Sequence, residues 1–216
     1  MTAPSRIAVV DYGAGNLRSV AKALERSGFD VEVVSDPDRL RAHDAVALPG
    51  VGAFADAMGA LRARGLDAAV REHIESGRPY LGLCLGLQLL FEQSEEHGST
   101  PGLGLFKGRV ELFPSTDERG RLLRVPHIGW NSVRWSGAHP VSARLPAESY
   151  YYFVHGYRVV PDDVSLAVGC ADYGGTFAAG VARDNVFAVQ FHPEKSQEAG
   201  RRLLDAFAAW MATCAG

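Results

Sequence analysis

The spacing of apolar positions changes several times along the chain, and each change marks an element. Ile7, Ala8, Val9 and Val10 form an unbroken run, the pattern of a strand buried on both faces. After a glycine-bearing turn, Leu17, Val20, Ala21 and Leu24 recur three or four apart, which predicts an amphipathic helix ending at Gly28. Val31-Glu32-Val33-Val34 reads as a second strand and Ala45-Val46-Ala47-Leu48 as a third, closed by Pro49-Gly50. Helical spacing resumes at Phe54, Ala57, Met58 and Leu61. Residues 80–83 form a fourth buried strand, and residues 85–91 a helix that begins directly after Cys84. Strands alternating with helices imply a parallel sheet covered on both faces.

From about Phe106 the texture becomes one of short alternating runs, at residues 110–113, 122–125, 128–133, 150–154, 166–168, 176–182 and 186–191. These predict strands with short turns, several of them antiparallel. A last helix over residues 197–211 carries Leu203, Leu204, Phe207 and Trp210 on one stripe. The expected fold is α/β: an open, mostly parallel twisted sheet flanked by helices, with additional antiparallel strands in the second half. No repeat, linker or low-complexity tract divides it, so residues 1–216 are expected to form one domain.

With 47% hydrophobic and 22% charged residues, the chain can bury a core without disulfides or metal. A formal net charge of -3, and no basic cluster beyond pairs such as Arg201-Arg202, leave no electrostatic footprint for nucleic acid. The first six residues lack the regions of a signal peptide. The longest apolar stretch, residues 79–91, is interrupted by glycines and Gln88, short of the about 20 residues that span a bilayer. Cys84, Cys170 and Cys214 are dispersed and odd in number, which fits a reducing compartment. A cytoplasmic protein without membrane association is expected.

Only Cys84 has an informative setting. Gly82-Leu83-Cys84-Leu85-Gly86 has the form of a nucleophile elbow between strand and helix, with cysteine in place of serine. Side chains at the flanking glycines would collide with neighbouring strands or with a substrate. The helix N-terminus would favour the thiolate, and the Leu85 N–H would supply one oxyanion donor. The competing reading is a small buried cysteine among glycines that only ease packing. What separates the two is whether a base lies within reach.

Residues 187–194 read as a strand ending in His192-Pro193-Glu194. Residues two apart in an extended chain face the same side, so His192 and Glu194 would turn towards one pocket, the carboxylate holding the imidazole in one tautomer. A solvated polar turn is the alternative for this segment alone. The other histidines compete poorly. His43, His73, His97 and His139 are expected in loops or on helix surfaces, and none forms a zinc spacing. His127 and His155 lie beside strands in aromatic surroundings, where a structural role is the default.

Gly50, Val51 and Gly52 follow the third strand and would emerge at the same sheet edge as Cys84. A peptide flanked by glycines turns its N–H inward or outward at little cost, so this loop offers a second oxyanion donor and a switch. Gly13-Ala14-Gly15-Asn16-Leu17-Arg18 begins like a dinucleotide fingerprint, but Arg18 stands where the third glycine is required. No cofactor and no metal are expected; a tight turn with Asn16 capping the next helix accounts for the segment.

In this order the pieces resemble the class I glutamine amidotransferases, and among them the glutaminase subunits of imidazole glycerol phosphate synthases. The resemblance runs through Asp11-Tyr12-Gly13-Ala14-Gly15-Asn16-Leu17, Pro49-Gly50-Val51-Gly52, the elbow with Leu87-Gln88, Pro126-His127-Ile128-Gly129-Trp130-Asn131, Tyr152-Phe153-Val154-His155 and Gln190-Phe191-His192-Pro193-Glu194-Lys195-Ser196. It implies the flavodoxin-like fold of that class, Cys84 as nucleophile, His192 as base and acid, and Glu194 as its orienting group. It further implies that Gln88 and Glu96 contact bound glutamine. Gly156, where the family usually has Ser or Thr, and Tyr157 are placed in the same substrate site, with backbone N–H groups replacing the missing hydroxyl. The implied partner is a (β/α)₈-barrel cyclase subunit in a heterodimer, met by Asn16, Trp130, Tyr152 and Lys195, to which ammonia is delivered for histidine biosynthesis. Alternatives are another class I amidotransferase, such as the glutaminase for pyridoxal phosphate or anthranilate synthesis, a thiol hydrolase working alone, and a non-catalytic interaction module.

Overall fold

The apolar runs that read as doubly buried strands lie side by side in a nine-stranded sheet. The computed structural model describes residues 5–13 and 15–214. The N-terminal tetrapeptide, Ala14 of the glycine turn and the side chain of Cys214 lie outside the described residues. In chain order the first half is β1 (Arg6–Val10), α1 (Leu17–Arg26), β2 (Asp30–Val34), α2 (Pro37–Leu40), β3 (Ala45–Gly50), α3 (Phe54–Ala63), α4 (Leu66–Glu75), β4 (Tyr80–Cys84) and α5 (Leu85–Gln88). There follow β5 (Phe91–Ser94), β6 (Thr100–Pro101), β7 (Phe106–Leu112), β8 (His127–Trp135), β9 (Glu148–His155), β10 (Tyr157–Pro161), β11 (Ala167–Asp172), β12 (Thr176–Arg183), β13 (Val186–Val189) and α6 (Gln197–Cys214).

The large sheet runs β2-β1-β3-β4-β13-β12-β11-β8-β9. Pairing is parallel from β2 to β13 and antiparallel from β13 to β9. The antiparallel strands of the second half therefore extend the parallel sheet. A smaller sheet, β10-β7-β5-β6, packs beside it. Alternation along β1 explains the two-sided core. Ala8 and Val10 join Phe54, Met58, Leu61 and Val70 of α3 and α4 on one face, and Ile7 and Val9 join Val20, Leu24, Leu203 and Phe207 of α1 and α6 on the other. Among the described residues no helix is long and apolar enough to cross a membrane.

Several elements depart from the sequence pattern. The helix expected over residues 85–91 stops after one turn. Carbonyls that would continue it are taken by another segment: Leu89 O accepts from Leu103 N–H at 2.8 Å and Leu90 O from Leu105 N–H at 2.9 Å. Residues 122–125 form no strand but only the isolated bridge Thr116–Leu122, and Leu122 is 87% exposed, so a strand here would bury no apolar face. The run at 166–168 is split between a 3₁₀ turn, Val164–Leu166, and β11. Helix α4 and the short strands β5, β6 and β10 carried no expectation. Asn16 occupies the N-cap position of α1, but its side chain makes no capping bond; its backbone carbonyl accepts from Ser19 and Val20 instead. His43 and His139 lie in loops, within the expectation for them, whereas His73 is on the buried face of α4; all three are buried with a ring nitrogen near a backbone carbonyl, His73 Nε2 3.1 Å from Pro79 O and His43 Nδ1 3.0 Å from Arg39 O.

Candidate active site

β4 passes into α5 with no residue between them, and Cys84 takes the bend with φ 54° and ψ -104°. A positive φ in a residue with a side chain is strained, and such strain gathers at functional turns. The turn fits only because its neighbours are glycines. A β-carbon on Gly82 would sit 2.7 Å from that of Ala188, and one on Gly86 would strike the Leu48 carbonyl. Because α5 is a single turn, its dipole is a minor influence on the sulfur; side chains from β13 onwards surround it instead.

β13 lies parallel to β4, so the chain leaving it emerges at the same edge. The strand ends at Val189, and Gln190, Phe191 and His192 follow, all buried. The sequence predicted an extended step to Glu194. Instead Pro193–Lys195 form a 3₁₀ turn with His192 at its N-cap, because proline supplies the helical φ and Ser196 fastens the turn. Ser196 Oγ donates to His192 O at 2.6 Å and accepts from Tyr152 N–H at 2.9 Å. The turn brings Glu194 Oε1 to 2.9 Å from His192 Nδ1. Among the described residues, His192 Nε2 and Glu194 Oε2 are buried without hydrogen-bond partners. Burial opposes a charge on His192 but is outweighed by the adjacent Cys84 sulfur and the Glu194 carboxylate, which raise its pKa from 6.5 to about 10. No hydrogen bond of good geometry closes between Cys84 and His192; the sulfur accepts instead from Gln190 Nε2 at 3.6 Å.

Cys84 opens into a cleft of about 480 Å³ lined also by Val51, Gly52, Leu85, Gln88, Glu96, His155, Gly156, Tyr157 and Lys195. The cleft thus gathers Cys84 and most of the residues expected to meet substrate. Gly50 is the exception: it pairs with Cys84 in the sheet and lies behind the wall, where a β-carbon would meet the Tyr12 hydroxyl. Val51, 44% exposed, and Gly52, with φ 100°, form the rim. Gln88 is already engaged, its Nε2 donating to Tyr157 O at 3.1 Å and to Gln190 Oε1 at 3.0 Å. Glu96 Oε2 accepts from Phe54 N–H at 2.6 Å, capping α3, whose own N-cap residue, Ala53, has no acceptor side chain.

The four residues expected at a partner surface lie near the mouth or on its flanks. Trp130 and Tyr152 are cross-strand partners with ring centroids 6.1 Å apart, and Lys195 Nζ stands 6.0 Å from the Tyr152 ring. Asn16 is exposed at the start of α1, which packs near the Pro193–Lys195 turn. Sequence reasoning gave no role to Gln190, which links Gln88 to the sulfur. The available signal was one amide-bearing residue at the end of an otherwise apolar run. Among the described residues no three His, Cys, Asp or Glu side chains group as a metal would require.

A cysteine elbow at the carboxyl edge of a parallel sheet, next to a His-Glu pair, defines a class. The chain belongs to the class-I glutamine amidotransferases, whose family model matches residues 8–209. Within that class it is 50% identical over 202 residues to the imidazole glycerol phosphate synthase subunit HisH of Syntrophotalea carbinolica, covering 93% of this chain and 98% of that one. To the HisH subunit of Methylococcus capsulatus it is 51% identical over 211 residues, covering 95% and 97%. A chain in the structure of PurLQS from Thermotoga maritima shares the fold with a TM-score of 0.76 at 24% identity, covering 97% of this chain and 99% of that one.

Proposed function

We propose that this chain is the glutaminase subunit of an imidazole glycerol phosphate synthase: it hydrolyses glutamine and passes the ammonia to a cyclase partner in histidine biosynthesis. The observation that carries this reading is the junction at the cleft, where Cys84 at a strained bend adjoins the buried His192–Glu194 pair. In the reaction His192 Nε2 takes the Cys84 thiol proton and the sulfur attacks the amide carbon of glutamine. The oxyanion takes hydrogen bonds from the Leu85 N–H and from an N–H of the residue 50–52 loop. His192 gives its Nε2 proton to the leaving nitrogen, ammonia departs and a thioester remains. Water, deprotonated by His192, then cleaves the thioester to glutamate and restores the thiol. Gln88, Glu96, Gly156 and Tyr157 form the substrate cleft.

Ammonia set free in neutral water becomes largely ammonium, which is not a nucleophile, so the product needs a sheltered route. The partner we propose is a (β/α)₈-barrel cyclase subunit in a one-to-one heterodimer. It uses the ammonia on a phosphoribulosyl formimino aminoimidazole nucleotide and releases imidazole glycerol phosphate and an aminoimidazole carboxamide ribonucleotide. The barrel docks over the mouth of the cleft, against Asn16, Trp130, Tyr152 and Lys195. A lone glutaminase would waste glutamine, and the peptide at Val51 gives the pair a switch: one orientation presents an oxyanion donor, the other does not. Loss of one such donor costs about 10²- to 10³-fold in rate. Steady-state glutaminase assays of the chain alone, with the cyclase, and with cyclase plus nucleotide test this reading. Rates should rise through the series, and equal rates in all three would refute it in favour of a stand-alone hydrolase.

A further inference from the structure

A polar chain runs inward from the wall of the cleft, and its protons can be placed. His155 Nδ1 lies 2.8 Å from the Tyr157 carbonyl oxygen. A carbonyl only accepts, so this nitrogen carries a proton. Nε2 of the same ring lies 3.1 Å from His127 Nδ1, and two ring nitrogens in contact share a single proton. His127 Nε2 faces Asn131 Nδ2 at 3.5 Å, and that amide also donates to Asp172 O at 2.9 Å while its oxygen accepts from Ser132 N–H at 2.8 Å. One assignment satisfies every partner: both rings are uncharged and both carry their proton on Nδ1. Burial points the same way, lowering the pKa of His127 to about 4 and that of His155 to about 3.

Hydrolysis of an amide by Cys84 and His192 has no use for a second pair of uncharged imidazoles as acids or bases. What the pair does meet is the cleft wall, of which His155 is itself a part. The Tyr157 carbonyl accepts from His155 Nδ1 and from Gln88 Nε2 at 3.1 Å, so both of its lone pairs are engaged. The Gly156 carbonyl is held separately by Phe113 N–H at 3.0 Å. Gly156 has no side chain to contribute, so the wall here is backbone, shaped by whatever fixes its carbonyls. The histidines are themselves fixed by aromatic packing: His127 stacks 4.0 Å from Tyr173 and 4.9 Å from Phe153, centroid to centroid.

We infer that His127 and His155 are positioning residues for the glutamine cleft, locking the Tyr157 carbonyl and thereby setting the backbone of residues 156–157 against which substrate lies. This rests on the glutaminase reading above. Binding depends on the pair and the chemical step does not, so its loss raises KM for glutamine and spares kcat.

The experiment measures glutamine hydrolysis by the complete chain with saturating cyclase subunit, for the parent and for H155F, H155N and H127F, alongside thermal unfolding of each. H155F deletes the bond to Tyr157 and should raise KM about tenfold with kcat changed less than about threefold, the size expected for one buried hydrogen bond. H155N keeps an N–H donor near the Nδ1 position and should recover most of that loss. H127F retains the stack on Tyr173 while removing the proton given to His155. It should raise KM about three- to fivefold and lower the unfolding temperature by only a few degrees, leaving a folded protein, which keeps the inference testable if H155F fails to fold. A folded H155F or H127F with parental KM, a fall confined to kcat, or H155N as impaired as H155F would overturn the inference. A parent complex that does not hydrolyse glutamine would overturn the functional reading itself, and this inference with it.

Discussion

Glu194 touches His192 with only one of its two oxygens: Oε1 lies 2.9 Å from Nδ1, while Oε2 is buried with no partner among the described residues. A carboxylate held this way commits its charge to the imidazole, because no other donor shares it. E194Q should keep the shape but supply an amide in place of the charge. The His192 pKa, lifted to about 10 against burial by Cys84 and Glu194, should then fall towards 6.5. The sign follows from linkage: a raised histidine pKa contributes stability that is complete below about 6.5 and is lost as pH rises through about 10, so E194Q should remove part of it at neutral pH. Glutaminase kcat should drop on the order of 10²- to 10³-fold, read by steady-state assay and by NMR titration of His192. A parental kcat with a parental titration would show that the pair is only structural.

Three buried histidines should make the fold acid-sensitive. His73 and His127 have pKa values lowered to about 4 and His155 to about 3, in each case chiefly by burial. The unfolded chain binds these protons at about 6.5, so their contribution to stability is complete above that pH and is lost as pH falls from 6.5 towards 4 for His73 and His127 and towards 3 for His155. Urea unfolding at stepped pH should show stability declining across this window, and H73Q should flatten part of the decline. A flat stability profile between pH 7 and 4.5 would contradict the buried, uncharged assignment.

Glu96 joins the cleft to the helix behind it, since the carboxylate that lines the pocket also caps α3 at Phe54 N–H. E96A should cost about 1 kcal/mol of stability and raise KM for glutamine, whereas E96Q, still an acceptor, should keep most of the stability. Urea midpoints and KM for both variants check this. Equal stability of E96A and the parent would remove the capping role.

The alternation of buried runs and helical stripes made the parallel half of the sheet legible, because strands such as β1 are apolar at every position that packs. The elbow was legible for the same kind of reason: glycines stood where the fold has no room, beside Ala188 and the Leu48 carbonyl. What stayed hidden depended on partners distant in sequence. The end of α5 is decided by N–H groups of Leu103 and Leu105, and the His192–Glu194 geometry by a 3₁₀ turn that Ser196 fastens. The burial of His73 follows from the position of Pro79 O, which no local pattern reports. Gln190 hid inside a strand-like run, and its bonds to Cys84 and Gln88 cross from the segment just after β13 to the elbow.

The central claim is that Cys84 generates ammonia for a separate acceptor site on the partner. The most direct measurement is synthase activity of the C84A chain in complex with its cyclase, supplied with glutamine or with ammonium salt as the nitrogen source. The substitution removes the nucleophile and little buried volume, so the complex should still assemble. Turnover with glutamine should be abolished and turnover with ammonia should match the parent complex. Glutamine-dependent turnover retained by a folded C84A complex would contradict the account.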